Sequence, residues 1–182
     1  ILRMVAENRK YVDRVAIFET ARTYQPVALD ELPEERRAVV MAMSGAREHE
    51  SWYEVEPGEL DFFDVKGAVE VMLDRVGGET ATFEPVSHPS MHPGRCAAVC
   101  FNGTQLGIIG EVHPAVAANF GVESRVAVAE IDLEPFYATL LDNWGVHPVS
   151  RFQPIRQDFA VVVDEGVAAA QVRDAISDGA RP

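Results

Sequence analysis

The chain has 182 residues, 47% hydrophobic and 25% charged, which suits one globular domain, or one domain and part of another. A net charge of −13 repels a phosphate backbone on average, so the chain is a poor candidate for an independent nucleic-acid-binding module. No apolar run approaches the roughly 20 residues that cross a bilayer, and the only cysteines, Cys96 and Cys100, imply no disulfide framework and a reducing, cytoplasmic setting.

The first residue is Ile1, not Met, and the simplest expectation is a fragment of a longer protein. Leu2, Val5, Ala6 and Tyr11 give a short helical stripe in place of a signal peptide. Val15 to Thr20 reads as a strand, Asp30 to Arg36 as a polar loop around Pro33, and Ala38 to Met43 as a second strand stopped by Ser44 and Gly45. The two strands can pair antiparallel across the loop. Residues 46 to 59 are acidic and poorly patterned, and read as a mobile or covering loop. The clearest helix follows Leu60. Phe62, Val65, Val69, Met72 and Val76 recur every three or four residues, Asp61 can cap the start with Asp64 in the first turn, and Gly77–Gly78 ends the run.

Thr80 to Val86 reads as a strand. Ala97 to Phe101 and Gln105 to Val112 flank Asn102–Gly103, the pair that supplies the two positive φ angles of a type I′ hairpin turn. Pro114 opens a short helix that Gly121 closes. Arg125 to Ile131 is a strand, and Pro135 opens another short helix with Phe136, Leu140, Leu141 and Trp144 inward, ended by Gly145. His147 to Pro154 reads as a linker, Phe159 to Val163 as an apolar strand and Ala168 to Ile176 as a helix. Antiparallel strands with helices between and after them predict an α+β fold. Acidic residues crowd Asp30 to Glu84, whereas the last segment carries Arg151, Arg156, Arg173 and Arg181.

His88, His92, Cys96 and Cys100 fall at intervals of four, the sharpest chemistry-like pattern. Two imidazoles and two thiolates would suit tetrahedral zinc. The spacing argues otherwise. Pro89 and Pro93 keep the histidines out of a helix, and on an extended strand the cysteines stand about 13 Å apart, too far for one ion that binds sulfur at about 2.3 Å. Buried or loop-packing roles are expected instead. His88, His92, His113 and His147 each precede proline, which reads as turn punctuation. Gly103, Gly107 and Gly110 are too widely spaced for a phosphate loop, and turn and bulge roles account for them. Asp158 and Asp164 flank the last strand as solvated acids. No residue is assigned a catalytic, cofactor-binding or metal-binding role.

Three segments carry more information together than apart: Asp61 to Gly67 at the start of the main helix, His92 to Arg95 before the hairpin, and Gly110 to Pro114 after it. With Ile1 to Asn8, with Phe18, Glu19, Arg22 and Tyr24, and with Phe152, Pro154, Arg156 and Asp158, they make the chain resemble the β subunit of bacterial phenylalanyl-tRNA synthetase. The resemblance implies a class II synthetase-like antiparallel sheet with flanking helices over residues 1–149, a catalytic-like module that is not itself catalytic. It implies that residues 150–182 open a ferredoxin-like anticodon-binding domain, truncated here. It further implies an α-subunit partner carrying the active site in an α2β2 heterotetramer, with ATP and magnesium serving the whole enzyme and tRNA-Phe reached through other domains. The helix at Ile1 to Tyr11 would lie at a subunit interface. An active class II site needs one arginine over the substrate phosphate and another, ending a glycine-rich strand, over ATP. Here Arg22 follows Phe18–Glu19 out of the usual order, and Leu106 to Glu111 ends in no arginine. Two readings from other classes stand beside this one: a metal-dependent hydrolase using His88, His92 and Cys96, and an acidic adaptor derived from the same fold.

Overall fold

The computed structural model describes residues 1–28, 30–48, 52, 58–77, 81–139, 151–153 and 155–179. Contacts divide the chain into two units, residues 1–144 and 145–182.

The first unit is built on a six-stranded antiparallel sheet. Its strands are β1 (Arg14–Gln25), β2 (Glu34–Gly45), β3 (Thr82–Pro85), β4 (Met91–Phe101), β5 (Thr104–Val112) and β6 (Val126–Asp132). Their order across the sheet is β1-β2-β6-β5-β4-β3, so β6 enters between the two hairpins. The helices are α1 (Leu2–Asn8), α2 (Phe62–Gly77), α3 (Pro114–Ala118) and α4 (Leu133–Thr139). Strand alternation sorts the core into two layers. Ala127, Ala129 and Ile131 of β6 join Val99 and Ile109 beneath Val65, Val69 and Leu73 of α2 and Phe136 of α4. Val126 and Val128 point the other way, toward Ala42, Val112, Val5 of α1 and Ala117 of α3. The fold is α+β, as the pattern of elements predicts.

The β1–β2 pairing runs in register from Arg14↔Gly45 to Gln25↔Glu34, longer at both strands than the apolar runs alone suggest. Polar residues such as Thr23 and Arg36 continue the ladder because backbone pairing does not require apolar side chains. The last three residues of the expected Asp30 to Arg36 loop, Glu34 to Arg36, are therefore strand, while the part around Pro33 stays loop. The second hairpin turns where Asn-Gly places it, with φ of 48° at Asn102 and 74° at Gly103. Gly107 and Gly110 are explained by close approach. A Cβ on Gly107 would sit 1.9 Å from the Glu130 carbonyl oxygen, and one on Gly110 would sit 2.9 Å from that of Arg95.

Three further differences have simple causes. Strand β4 begins at Met91, so His92 to Arg95 lie inside it as an irregularity instead of preceding the hairpin. Helix α4 begins at Leu133, ahead of Pro135, which proline tolerates in a first turn. Tyr11 lies beyond α1 and is 79% exposed, because the helix stops at Asn8. Gly78, Thr80, Leu140, Leu141, Trp144, Gly145 and most of the expected linker lie outside the described residues.

In the second unit, Phe159 to Val163 form no strand. The segment is unpaired among the described residues and exposed. A strand is stabilised by a ladder partner and a buried face, and no described residue supplies either. The helix predicted after it is present as α5 (Ala169–Gly179), and it buries no side chain.

Candidate functional site: a cleft joining three motif segments

The three segments singled out in the sequence meet at one place. Helix α2 starts in a capping box. The Asp61 Oδ1 accepts from the Phe63 N–H at 2.8 Å, and the Asp64 Oδ2 accepts from the Asp61 N–H at 2.7 Å. Arg47 braces this turn, reaching Asp61 Oδ2 and Asp64 Oδ1 at 3.1 Å each. Burial pushes the Asp64 carboxyl up, but the Asp61 N–H and Arg47 outweigh it and hold the group below its ordinary value. The fixed start of α2 presents Phe62, Phe63 and Lys66 to the cleft.

The opposite wall comes from the second hairpin. Past a register shift between Val99 and Cys100, Cys96 stands opposite Gly110. Between Met91 and Cys96 the register shifts, and Gly94 takes φ 76°, a left-handed conformation open to glycine at little cost. The bulge delivers Arg95 to Glu111, with Nη1 to Oε2 at 2.6 Å. Arg125, just before β6, approaches the same oxygen through Nε at 3.5 Å. The Glu111 side chain is only 7% exposed, whereas both arginines keep a solvent-facing part.

The resulting cleft has a volume of about 510 Å³. Its apolar wall is Phe62, Phe63, Phe83 and Pro85, and its polar end is Arg95, Arg125 and Glu111. A neighbouring recess of about 500 Å³ shares that polar set. Lys66 pairs with Glu70 and lies over the Phe83 ring, 4.4 Å from its centroid. Every cation of the cleft thus already faces a carboxylate. A polyphosphate needs several uncommitted donors, which this lining does not offer.

The His/Cys series does not assemble. The Nδ1 of His88 accepts from the Ser90 N–H at 3.3 Å, His92 Nδ1 lies 2.7 Å from its neighbour's carbonyl at Pro93, and His113 Nδ1 caps α3 by accepting from the Ala115 N–H at 3.2 Å. These are local turn contacts. Burial pushes the Cys96 thiol up, and burial with Glu84 does the same for Cys100, away from the thiolate that binds metal or attacks. Among the described residues no three His, Cys, Asp or Glu side chains converge on a point that could hold a metal, so the hydrolase alternative finds no support. Arg22 is turned across the first hairpin to Glu35, at 2.6 Å. Asp158 and Asp164 are exposed.

Sequence reasoning missed Arg125 and Phe83, and it named Glu111 without a partner. A glutamate inside the otherwise apolar run Ile108 to Val112 was the available signal, since a buried carboxylate requires a cation.

The family model "Phenylalanyl tRNA synthetase beta chain CLM domain" matches residues 1–133. The chain is 39% identical over 171 residues to the phenylalanine–tRNA ligase β subunit of Symbiobacterium thermophilum, covering 94% of this chain and 19% of that one. Against the β subunit of Geobacter metallireducens the identity is 31% over 179 residues, with 97% and 22% covered. Against that of Chromobacterium violaceum it is 37% over 171 residues, with 93% and 20% covered. The chain spans about a fifth of the length of these relatives. With the model covering most of the chain and the three motif segments meeting at one cleft, the chain belongs to the phenylalanyl-tRNA synthetase β-chain family.

Proposed function

We propose that residues 1–149 are a scaffold within a phenylalanine–tRNA ligase β subunit: a class II synthetase-like module that keeps the sheet and has lost the chemistry. The observation that carries this reading is the state of the cations. Arg95 and Arg125 face Glu111 within the cleft, Lys66 pairs with Glu70 at its edge, and Arg22 pairs with Glu35 elsewhere. With these cations committed to carboxylates, adenylation gains no electrostatic help from them. In this reading ATP, magnesium and phenylalanine are handled by an α-subunit partner in an α2β2 assembly, in the cytoplasm. Residues 150–182 open a ferredoxin-like anticodon-binding domain, and tRNA-Phe is met by the whole enzyme. Exposed apolar side chains on the first hairpin edge, Phe18 and Tyr24, together with Met4 and Tyr11, suit a subunit contact.

The test is phenylalanine-dependent ATP–pyrophosphate exchange. The 182-residue chain alone is expected to show none, and the assembled αβ enzyme full activity. Exchange by the chain alone that falls on Arg22→Ala would overturn the reading.

A further inference from the structure

The turn between β4 and β5 carries a reactive pair of residues that the cleft does not use. The sequence has four asparagines, and only Asn102 is followed by glycine; Asn8, Asn119 and Asn143 precede arginine, phenylalanine and tryptophan. Glycine has no side chain to shield its backbone nitrogen from an approaching carboxamide. Asn102 and Gly103 are both exposed, and neither the Asn102 side chain nor the Gly103 N–H has a hydrogen-bond partner among the described residues. Their φ values of 48° and 74°, between the paired Phe101 and Thr104, are those of a type I′ turn. In that turn the first central residue has ψ of about 30°. Closing a five-membered imide needs the Asn102 Cγ and the Gly103 nitrogen on the same side of the Cα–C bond. At that ψ the nitrogen points almost opposite to Cβ. The folded turn therefore holds the two reacting atoms apart.

We propose that Asn102 is a conformationally gated deamidation site: the closed turn keeps it inert, and local opening of the hairpin tip lets it react. In the open tip the Gly103 N–H gives its proton to hydroxide, and the nitrogen bonds to Asn102 Cγ. The Cγ–Nδ2 bond breaks, and the amide group leaves as ammonia. Water then opens the imide at either carbonyl, giving aspartate or isoaspartate. The sum is asparagine plus water to carboxylate plus ammonium, with no oxidation or reduction. In isoaspartate the chain runs through Cγ and gains one backbone carbon. The two-residue turn has no place for it, so Phe101 and Thr104 lose their pairing. Phe101 is 1% exposed and edge-on to Phe136, so the change reaches a core side chain. Opening is reversible and the chemistry is not, so conversion accumulates with the time the tip spends open. The inference rests on the turn alone and is independent of the ligase reading.

The experiment incubates the 182-residue chain in mildly alkaline buffer and follows each asparagine by peptide mapping and mass spectrometry. A free peptide of residues 98–107 and the chain unfolded in urea run alongside. The folded chain is expected to convert at Asn102 before any other asparagine, at least about tenfold more slowly than the peptide, because only the open fraction reacts. Urea should bring the chain to the peptide's rate. The isoaspartate form, once separated, should lose at least about tenfold of the hydrogen-exchange protection at Phe101 and Thr104. Asn102→Asp carries the same new charge on an ordinary backbone and should keep that protection, since Asp-Gly also supports the turn. Conversion in the folded chain as fast as in the peptide would overturn the proposal. So would earlier conversion at Asn8, Asn119 or Asn143, or none at Asn102 after about a hundred half-lives of the peptide. Unchanged protection in the isoaspartate form, or equal loss in Asn102→Asp, would overturn the backbone consequence drawn from it.

Discussion

Two apolar segments of similar composition meet opposite fates. In β4, Cys96, Ala97, Ala98 and Val99 are buried between two strands and two helical layers. In the second unit, Phe159, Val161, Val162 and Val163 are at least as apolar, and all are exposed without a ladder. The helices repeat the contrast. Helix α2 buries Val65, Val69 and Leu73, while α5, amphipathic in pattern, buries nothing. Apolar content makes a segment able to join a core. Whether it does so depends on a partner surface large enough to offset the entropy of ordering it.

The largest expression of this contrast is in hydrogen exchange. Amides of β5 and β6 should be protected by orders of magnitude, and those of Phe159 to Val163 should exchange almost as in a free peptide, since only the former break with global unfolding. Equal protection in the two units would break the comparison. Next comes core truncation. Phe101, 1% exposed and edge-on to Phe136, should cost about 3–5 kcal/mol as Phe101→Ala. Val162→Ala should stay within about 0.5 kcal/mol by urea denaturation.

Backbone fit gives a third test. Gly107→Ala drives a methyl into the Glu130 carbonyl and should cost at least about 2 kcal/mol. Gly166→Ala, with no atom within 4 Å of the added methyl, should change stability by less than about 0.5 kcal/mol. Glu111→Ala leaves Arg95 and Arg125 without their shared acceptor. Both guanidinium groups reach solvent, so the cost should be about 1–3 kcal/mol, below that of a fully buried pair.

The smallest effect is in acid. The folded Asp64 carboxyl lies below its ordinary value of 3.8. Its contribution to stability is complete above that value and is lost as pH falls through the lower, folded value, because the unfolded chain binds the proton first. Asp64→Asn should therefore destabilise the first unit near neutral pH and flatten the acid limb of its stability curve below about pH 3.8. An unchanged slope there would remove Asp64 from the ledger of acid-sensitive groups.

Much of the site was legible, but only in pieces. Asp61 and Asp64 announce a helix start because capping is a local interaction between residues three apart. Asn102–Gly103 announces its turn because positive φ is a single-residue matter. The regular spacing of His88, His92, Cys96 and Cys100 was equally visible, yet it leads to turn contacts and buried thiols, because a strand does not bring every fourth residue to one point.

By itself, then, the sequence determined the elements whose causes are local: the cap of α2, the second hairpin turn, the alternating faces of β6, and the family signature spread along the chain. Tertiary structure alone decided the pairings that span long stretches of chain. It set β6 between β2 and β5, placed the bulge that aims Arg95 at Glu111, and brought Arg125 and Phe83 to the same cleft. It also left Phe159 to Val163 without a strand. The physical reason is the range of the forces involved. Caps and turns are closed by neighbours in sequence. Sheet order, buried charge pairs and strand formation wait on surfaces that only the folded chain brings together.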